Sequence, residues 1–227
     1  MAKLTSACFF ALSFALMTIA FEDRPLLAQP ITPAADGTGT QVNTVGDRFD
    51  IIGGTQAGSN LFHSFDQFNV PTGNTANFVG TPNLANILGR VTGGSPSLID
   101  GLLQVSNSNA NLFLMNPAGM IFGANASLNL PGSFTATTAT GIGFGEGTFN
   151  AFGPNNFSSL ISAPTHFSFA TETGLIVNSG DLAVANGQNL RLVGGSVLNV
   201  GTLEAPGGNI TLAAIPEKRQ IQISQEG

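Results

Sequence analysis

The sequence predicts an all-β solenoid, and three observations carry that prediction. Charged residues are only 9% of the 227-residue chain, so the Glu, Lys and Arg that clothe ordinary surface helices are missing. Asn, Thr, Ser and Gly fill the polar positions, and these residues disfavour helix interiors and suit turns and strand faces. With 29 Gly and 12 Pro, turns must be frequent. The third observation is repetition. Asn178-Ser179-Gly180-Asp181-Leu182 returns as Asn199-Val200-Gly201-Thr202-Leu203, a shift of 21 residues. Gly187-Gln188-Asn189-Leu190-Arg191-Leu192 returns as Gly207-Gly208-Asn209-Ile210-Thr211-Leu212, a shift of 20. Strand-and-turn units at such a period mark a stack of coils, each coil burying its inner face against the next. A β-sandwich with two similar hairpins is the competing arrangement. The Gly/Asn spacing and the scarcity of charge favour the solenoid.

Residues 1–28 read as a secretory leader. Lys3 gives a minimal positive start and residues 7–21 an apolar run. Cleavage is expected after Ala28, with Ala20 as the second candidate. The run falls short of the ~20 apolar residues that span a bilayer, so no stable membrane insertion is expected after cleavage. The single cysteine, Cys8, lies in the leader, which leaves the remainder without disulfides or thiol chemistry.

Residues 29–217 form the expected domain. Residues 29–60 are polar and turn-rich, an entry segment of strands and turns. In residues 60–70, Phe62, Phe65 and Phe68 are spaced by three, which predicts a short strand with a bend or bulge. Residues 87–91 and 99–105 are two strand candidates separated by a Gly-Gly turn. Residues 112–115 and 120–122 are apolar and strand-like, joined by Asn116-Pro117-Ala118-Gly119. That tetrapeptide fits a type I β-turn, with Asn first, Pro second and Gly fourth. In the repeats, each unit carries two short strands, and asparagines at matching places can stack into ladders of bonded amides. Inward-facing candidates are Phe113, Leu114, Ile121, Phe122, Leu128, Leu130, Leu190, Leu192, Ile210 and Leu212, of which alternation lets about half face in. Residues 218–227 read as a tail or the start of a truncated passenger, with one further strand beginning at Lys218-Arg219.

Composition also bounds the chemistry. A net charge of −6 and a pI near 4.6 argue against nucleic acid as a partner. Phe, in 18 copies, is the only aromatic; without Trp or Tyr the chain lacks the usual aromatic floor of a sugar cleft. His63 lies near Asp66 in sequence and His166 is isolated among Phe167 and Phe169. Both read as surface or strand-end polar groups rather than as acid–base or metal-ligating residues. Arg90, Arg191, Lys218 and Arg219 are scattered, unlike the basic clusters with which a polysaccharide lyase binds uronates. No enzyme activity and no cofactor or metal are expected.

Two segments resemble a known family. Ser64-Phe65-Asp66-Gln67-Phe68-Asn69-Val70 resembles its SFxxFNV element. Asn109-Ala110-Asn111-Leu112 and Asn116-Pro117-Ala118-Gly119-Met120 resemble the NPNL and NPNGI signatures of the two-partner secretion domain, also called the filamentous haemagglutinin N-terminal domain. This chain has Ala110 where Pro is usual, Ala118 for the second Asn and Met120 for Ile. The order of elements extends the resemblance over nearly the whole chain. It implies a right-handed parallel β-helix with N-terminal capping strands. It also implies secretion through the periplasm to the cell surface or medium. In the periplasm an outer-membrane β-barrel transporter, with periplasmic POTRA domains, would bind the module and start export of a β-helical, adhesin-like passenger. The residues that would form the recognition and turn motif are Asn109, Asn111, Leu112, Asn116, Pro117 and Gly119. The other reading is a stand-alone surface adhesin that binds glycans through asparagine-rich faces.

Overall fold

A computed structural model describes residues 31–170, 174–216 and 219–223. The leader, both cleavage candidates and Cys8 lie outside these residues. The expected parallel β-helix with N-terminal capping strands is present, and helix among the described residues is confined to one 3₁₀ turn at Phe157–Ser159.

Each regular coil runs through three sheets. In one such coil, Asn111–Met115 lies in the first sheet, Met120–Phe122 in the third and Ser127–Asn129 in the second. The next visit to the first sheet is Phe134–Thr137, paired in parallel with Asn111–Met115. The first sheet stacks six such strands, Asn60–Gln67, Asn86–Val91, Asn111–Met115, Phe134–Thr137, Leu190–Gly194 and Ile210–Ala214. The period is 20 residues between Leu190 and Ile210 and 21 between Asp181 and Thr202, as the repeats predicted. The number of strands per coil differs from the sequence reading: three, not two. Likewise the single strand expected over 99–105 is split into Ser97–Ile99 and Leu102–Ser106, in different sheets. The corner falls at Gly101, where a Cβ would come within 2.3 Å of Asn74 O and 2.6 Å of Pro71 O in the coil before. Only a glycine lets the two corners stack that closely.

Parallel pairing alone does not choose a register, and a ladder of side chains does. Asn60, Asn86 and Asn111 occupy one register position on successive coils. Asn111 Nδ2 donates to Asn86 Oδ1 at 3.1 Å, and Asn86 Nδ2 donates to Asn60 Oδ1 at 2.8 Å. The row continues at its far end: Ser133 N–H donates to Asn111 Oδ1 at 2.9 Å, Asn189 N–H to Ser133 Oγ at 2.9 Å, and Asn209 N–H to Asn189 Oδ1 at 2.9 Å. A shift of one residue would break every rung and turn each strand's inner side chains outward.

Two apolar cores result. The first fills the solenoid between the three sheets, with Phe65, Phe78, Leu103, Leu114, Phe122 and Leu192 among its members. The second lies outside it. After Phe134–Thr137 the chain leaves the coil and builds an antiparallel fourth sheet, in the order Gly147–Asn150, Gly141–Phe144, His166–Phe169, Arg219–Gln222. This sheet packs on the outer face of the first, where Phe62, Leu88 and Phe113 form one register row. Phe62 sits 4.9 Å from the Phe149 ring and 5.3 Å from Phe157, centroid to centroid. Burial on both faces explains why all six residues of Asn86–Val91 are buried. It also resolves the spacing by three: Phe62 points to the outer core, Phe65 to the inner one, and Phe68 follows after the strand ends.

The expected inward residues divide accordingly. Leu114, Phe122, Leu130, Leu190 and Leu192 line the inner core, and Leu128 packs against it. Phe113 belongs to the outer core instead. Ile121 faces solvent, 42% exposed. Ile210 and Leu212 keep the register of Leu190 and Leu192 but are 46% and 48% exposed, because they stand on the last strand of the first sheet.

The amino-terminal end is closed by antiparallel strands. Thr32–Pro33 and Thr55–Ala57 pair with Asn60–Gln67, and Thr40–Val45 folds back on Arg48–Gly53 through Gly46 at φ +60°. Arg90 ties this cap to the rest. Only 2% exposed, it donates to Ser64 Oγ at 3.0 Å, Asp36 Oδ2 at 2.8 Å, Asn150 O at 2.7 Å and Gly153 O at 2.9 Å. Burial works against the Asp36 carboxylate, yet hydrogen bonds from Ser64, Thr38 and Arg90 outweigh it and hold its pKa at about 2.

Replacing Asn86 by Ala removes a rung with bonded partners on both sides. The expected loss is ~1–3 kcal/mol of unfolding free energy, read from urea denaturation. Replacing the exposed Asn109 by Ala should change it by less than about 0.5 kcal/mol.

Candidate functional site

The motif residues fall at one corner of one coil. Asn111–Met115 carries the chain along the first sheet, the tetrapeptide 116–119 turns it, and Met120–Phe122 continues in the third sheet. The turn is closed by Gly119 N–H donating to Asn116 O at 3.0 Å. Asn116 Oδ1 also accepts from Ala118 N–H at 3.0 Å, so its side chain mimics a second turn within the first. Its amide Nδ2 reaches the preceding coil and donates to Ser95 O and Ser97 Oγ, both at 3.0 Å. Asn116 is 1% exposed, and both ends of its amide are occupied within the fold.

The following coil stacks on the same corner. Gly174 N–H donates to Pro117 O at 2.7 Å. Gly119 has φ +121°, and a Cβ there would lie 2.9 Å from Leu175 O, so this turn position needs glycine on both counts. Leu112 is in the inner core and Asn111 is a rung of the ladder. Asn109 is the exposed member of the set. Of the positions where the chain departs from the signatures, Ala110 and Met120 are fully buried, Met120 within the inner core. The corner thus joins Asn116, Pro117 and Gly119, while Asn109, Asn111 and Leu112 stand at the opposite end of the strand.

The histidines correct one expectation and leave the other simple. His63 is fully buried rather than a surface group. It faces the inner core, 6.2 Å from the Phe65 ring and 5.8 Å from Phe78, and makes no pair with the exposed Asp66. Neither ring nitrogen has a hydrogen-bond partner. Burial alone pushes its pKa down to about 4. Nothing in the local sequence separates an inward His from an outward one; the strand's alternation, once Phe65 is known to face in, does. His166 is half-buried, with Nδ1 3.1 Å from Thr165 Oγ1. Among the described residues, no three His, Cys, Asp or Glu side chains gather where a metal ion could sit. A cleft of about 440 Å³ opens between the first and fourth sheets and is lined by Phe167, Val193, Ile210, Ile221 and Ile223, with Arg191 the cationic side chain among the described residues that line it.

The chain matches a family model, the TPS secretion domain, over residues 28–227. The chain belongs to the TPS secretion domain family. Among solved structures, the HMW1 secretion domain from Haemophilus influenzae is similar, with a TM-score of 0.62 and 25% identity, over 86% of this chain and 46% of that one. A filamentous hemagglutinin secretion domain gives a TM-score of 0.47 at 16% identity, over 82% of this chain and 100% of that one. This chain therefore spans less than half the length of the HMW1 structure. No protein of curated function matches it. A TPS secretion domain is a secretion module, and this chain is such a module of a two-partner secretion exoprotein. No described helix is long and apolar enough to cross a membrane.

Two outcomes follow from the geometry. Asn116→Ala empties three hydrogen bonds in a buried corner and should lower stability by ~2 kcal/mol, read as a clear drop in melting temperature. His63 gives a pH signature. The unfolded chain takes up a proton near pH 6.5, whereas the folded one does so only near 4. Its effect on stability is therefore absent above 6.5 and grows as pH falls through that interval, with the unfolded state favoured. The urea midpoint of the wild type should fall between pH 7 and pH 5, and His63→Leu should flatten that fall.

Proposed function

We propose that this domain is the export address of its exoprotein. A leader, residues 1–28, takes the chain to the periplasm, where the POTRA domains of the outer-membrane transporter bind residues 29–217. Binding starts translocation of a β-helical, adhesin-like passenger. The observation that carries this reading is the match of residues 28–227 to the TPS secretion domain family, on a coil stack whose amino-terminal end is closed by antiparallel strands and the Arg90–Asp36 pair. The corner at Asn116 supports the same reading by fixing where the first and third sheets meet.

The test is secretion from cells with and without the cognate transporter. Wild-type protein should reach the medium only when the transporter is present. Asn116→Ile should accumulate in the periplasm, and His166→Gln should be exported normally. Export that ignores the transporter would overturn the proposal.

A further inference from the structure

One outward face of the solenoid is treated unlike the other. In the second sheet the row Asp50, Asn77, Gln104 and Asn129 points outward and is polar throughout. In the third sheet the corresponding outward row is Leu98, Ile121, Val177 and Leu198, one residue from each of four stacked strands, in direct register. Leu98, Ile121 and Leu198 are 41%, 42% and 50% exposed, and Leu175 and Val200 beside them are 44% and 68% exposed. The residues flanking Leu98, Ile121 and Val177, namely Ser97, Ile99, Met120, Phe122, Ile176 and Asn178, are buried, and Val197 and Asn199 beside Leu198 are half-buried, so the row is not core that has slipped. The four strands, Ser97–Ile99, Met120–Phe122, Leu175–Asn178 and Ser196–Asn199, contain no charged residue. The outer face of the first sheet, by contrast, is covered by the fourth.

We infer that this aliphatic row on the third sheet is the surface on which the transporter's periplasmic domain docks. The inference rests on the export reading above and says where that recognition occurs. The motif corner leads directly into the row: Ile121 is two residues beyond Gly119, and the buried Asn116 amide holds Ser95 and Ser97, the start of the strand that carries Leu98. A partner cannot read the enclosed Asn116 amide, but it can read the side chains this corner places. Size selects the kind of partner. The exposed aliphatics offer on the order of 400 Å², about half of the ~800 Å² per partner that a stable dimer buries. A second copy of the chain is therefore a poor occupant. A brief encounter suits the row, and an export address must be released after use. The partner's face must itself be uncharged and apolar, since a charge pressed against this row would lose its water without gaining a counter-charge.

The test measures capture of the full chain by the purified periplasmic domains of the TpsB transporter from the same cell. An Ile121→Thr, Leu198→Thr double variant places strand-compatible β-branched side chains at both positions and should be captured at least tenfold more weakly, while Thr202→Ala on the second sheet should be captured like wild type. Failure to capture the wild type would overturn the export reading itself. Equal capture of wild type and double variant would overturn the docking surface and leave export standing. A wild type that sediments as a dimer and a double variant that sediments as a monomer, with capture unchanged, would assign the row to self-association instead. Should the double variant melt early, single cysteines decide: a cross-linker at Leu198→Cys should join the transporter domain and one at Thr202→Cys should not, and the reverse result would refute the proposal. The domain has no other cysteine, since Cys8 precedes it.

Discussion

Stacking in register is the constraint on which the rest of this molecule depends. A coil of about 20 residues has too little interior to bury its own apolar side chains, so each is stable only with a neighbour aligned upon it. Backbone pairing supplies attraction between coils but tolerates a slip. The asparagine row from Asn60 to Asn209 does not, because each amide or hydroxyl is fixed to the coil above or below. With the rungs aligned, Leu112, Phe134, Leu190 and Ile210 fall one above another, and the inner core is continuous. The corner glycines belong to the same logic, since a side chain at Gly101 or Gly119 would separate one coil from the next.

Much of this was legible in the sequence, and the reasons are local. The 20- and 21-residue spacing, the turn at Asn116 and the possibility of asparagine ladders depend on residues close together or regularly repeated. What was not legible depends on partners far along the chain. The fourth sheet comes from a single excursion that repeats nothing, so periodicity gives no sign of it. Its presence turns Phe113 from an expected inner residue into an outer one, and explains why Arg90, which looked like one of a few scattered cations, is enclosed. His63 was misread for the same reason: whether a polar residue on a strand is inside depends on which face the neighbouring strands cover. The division of 99–105 into two strands has a local sign, the turn dipeptide Asp100-Gly101, which the apolar residues on both sides outweighed in the sequence reading.

The candidate site shows a related separation. The residues that stand out in sequence, Asn116, Pro117 and Gly119, are those the architecture consumes, since special backbone geometry demands special residue types. The residues that can meet another molecule, Leu98, Ile121 and Leu198, are ordinary in sequence and gain meaning only when stacking sets them in line. A surface assembled by stacking exists only when several coils are in place, which makes it a readout of folded structure rather than of composition.

The Asn60 amide has one further consequence. Its two donors end on Leu160 O and Ser162 O, 100 and 102 residues further on. Arg90 likewise reaches Asn150 and Gly153, 60 and 63 residues along. The first coils therefore have buried donors whose acceptors are supplied only much later in the chain. A chain delivered from its amino terminus cannot finish these coils as they emerge; it must hold them open, at a cost in unmet hydrogen bonds, until the excursion closes over them. Closing so long a loop is slow on entropic grounds. The fold thus contains its own delay: the first coils close only after some hundred further residues have been supplied.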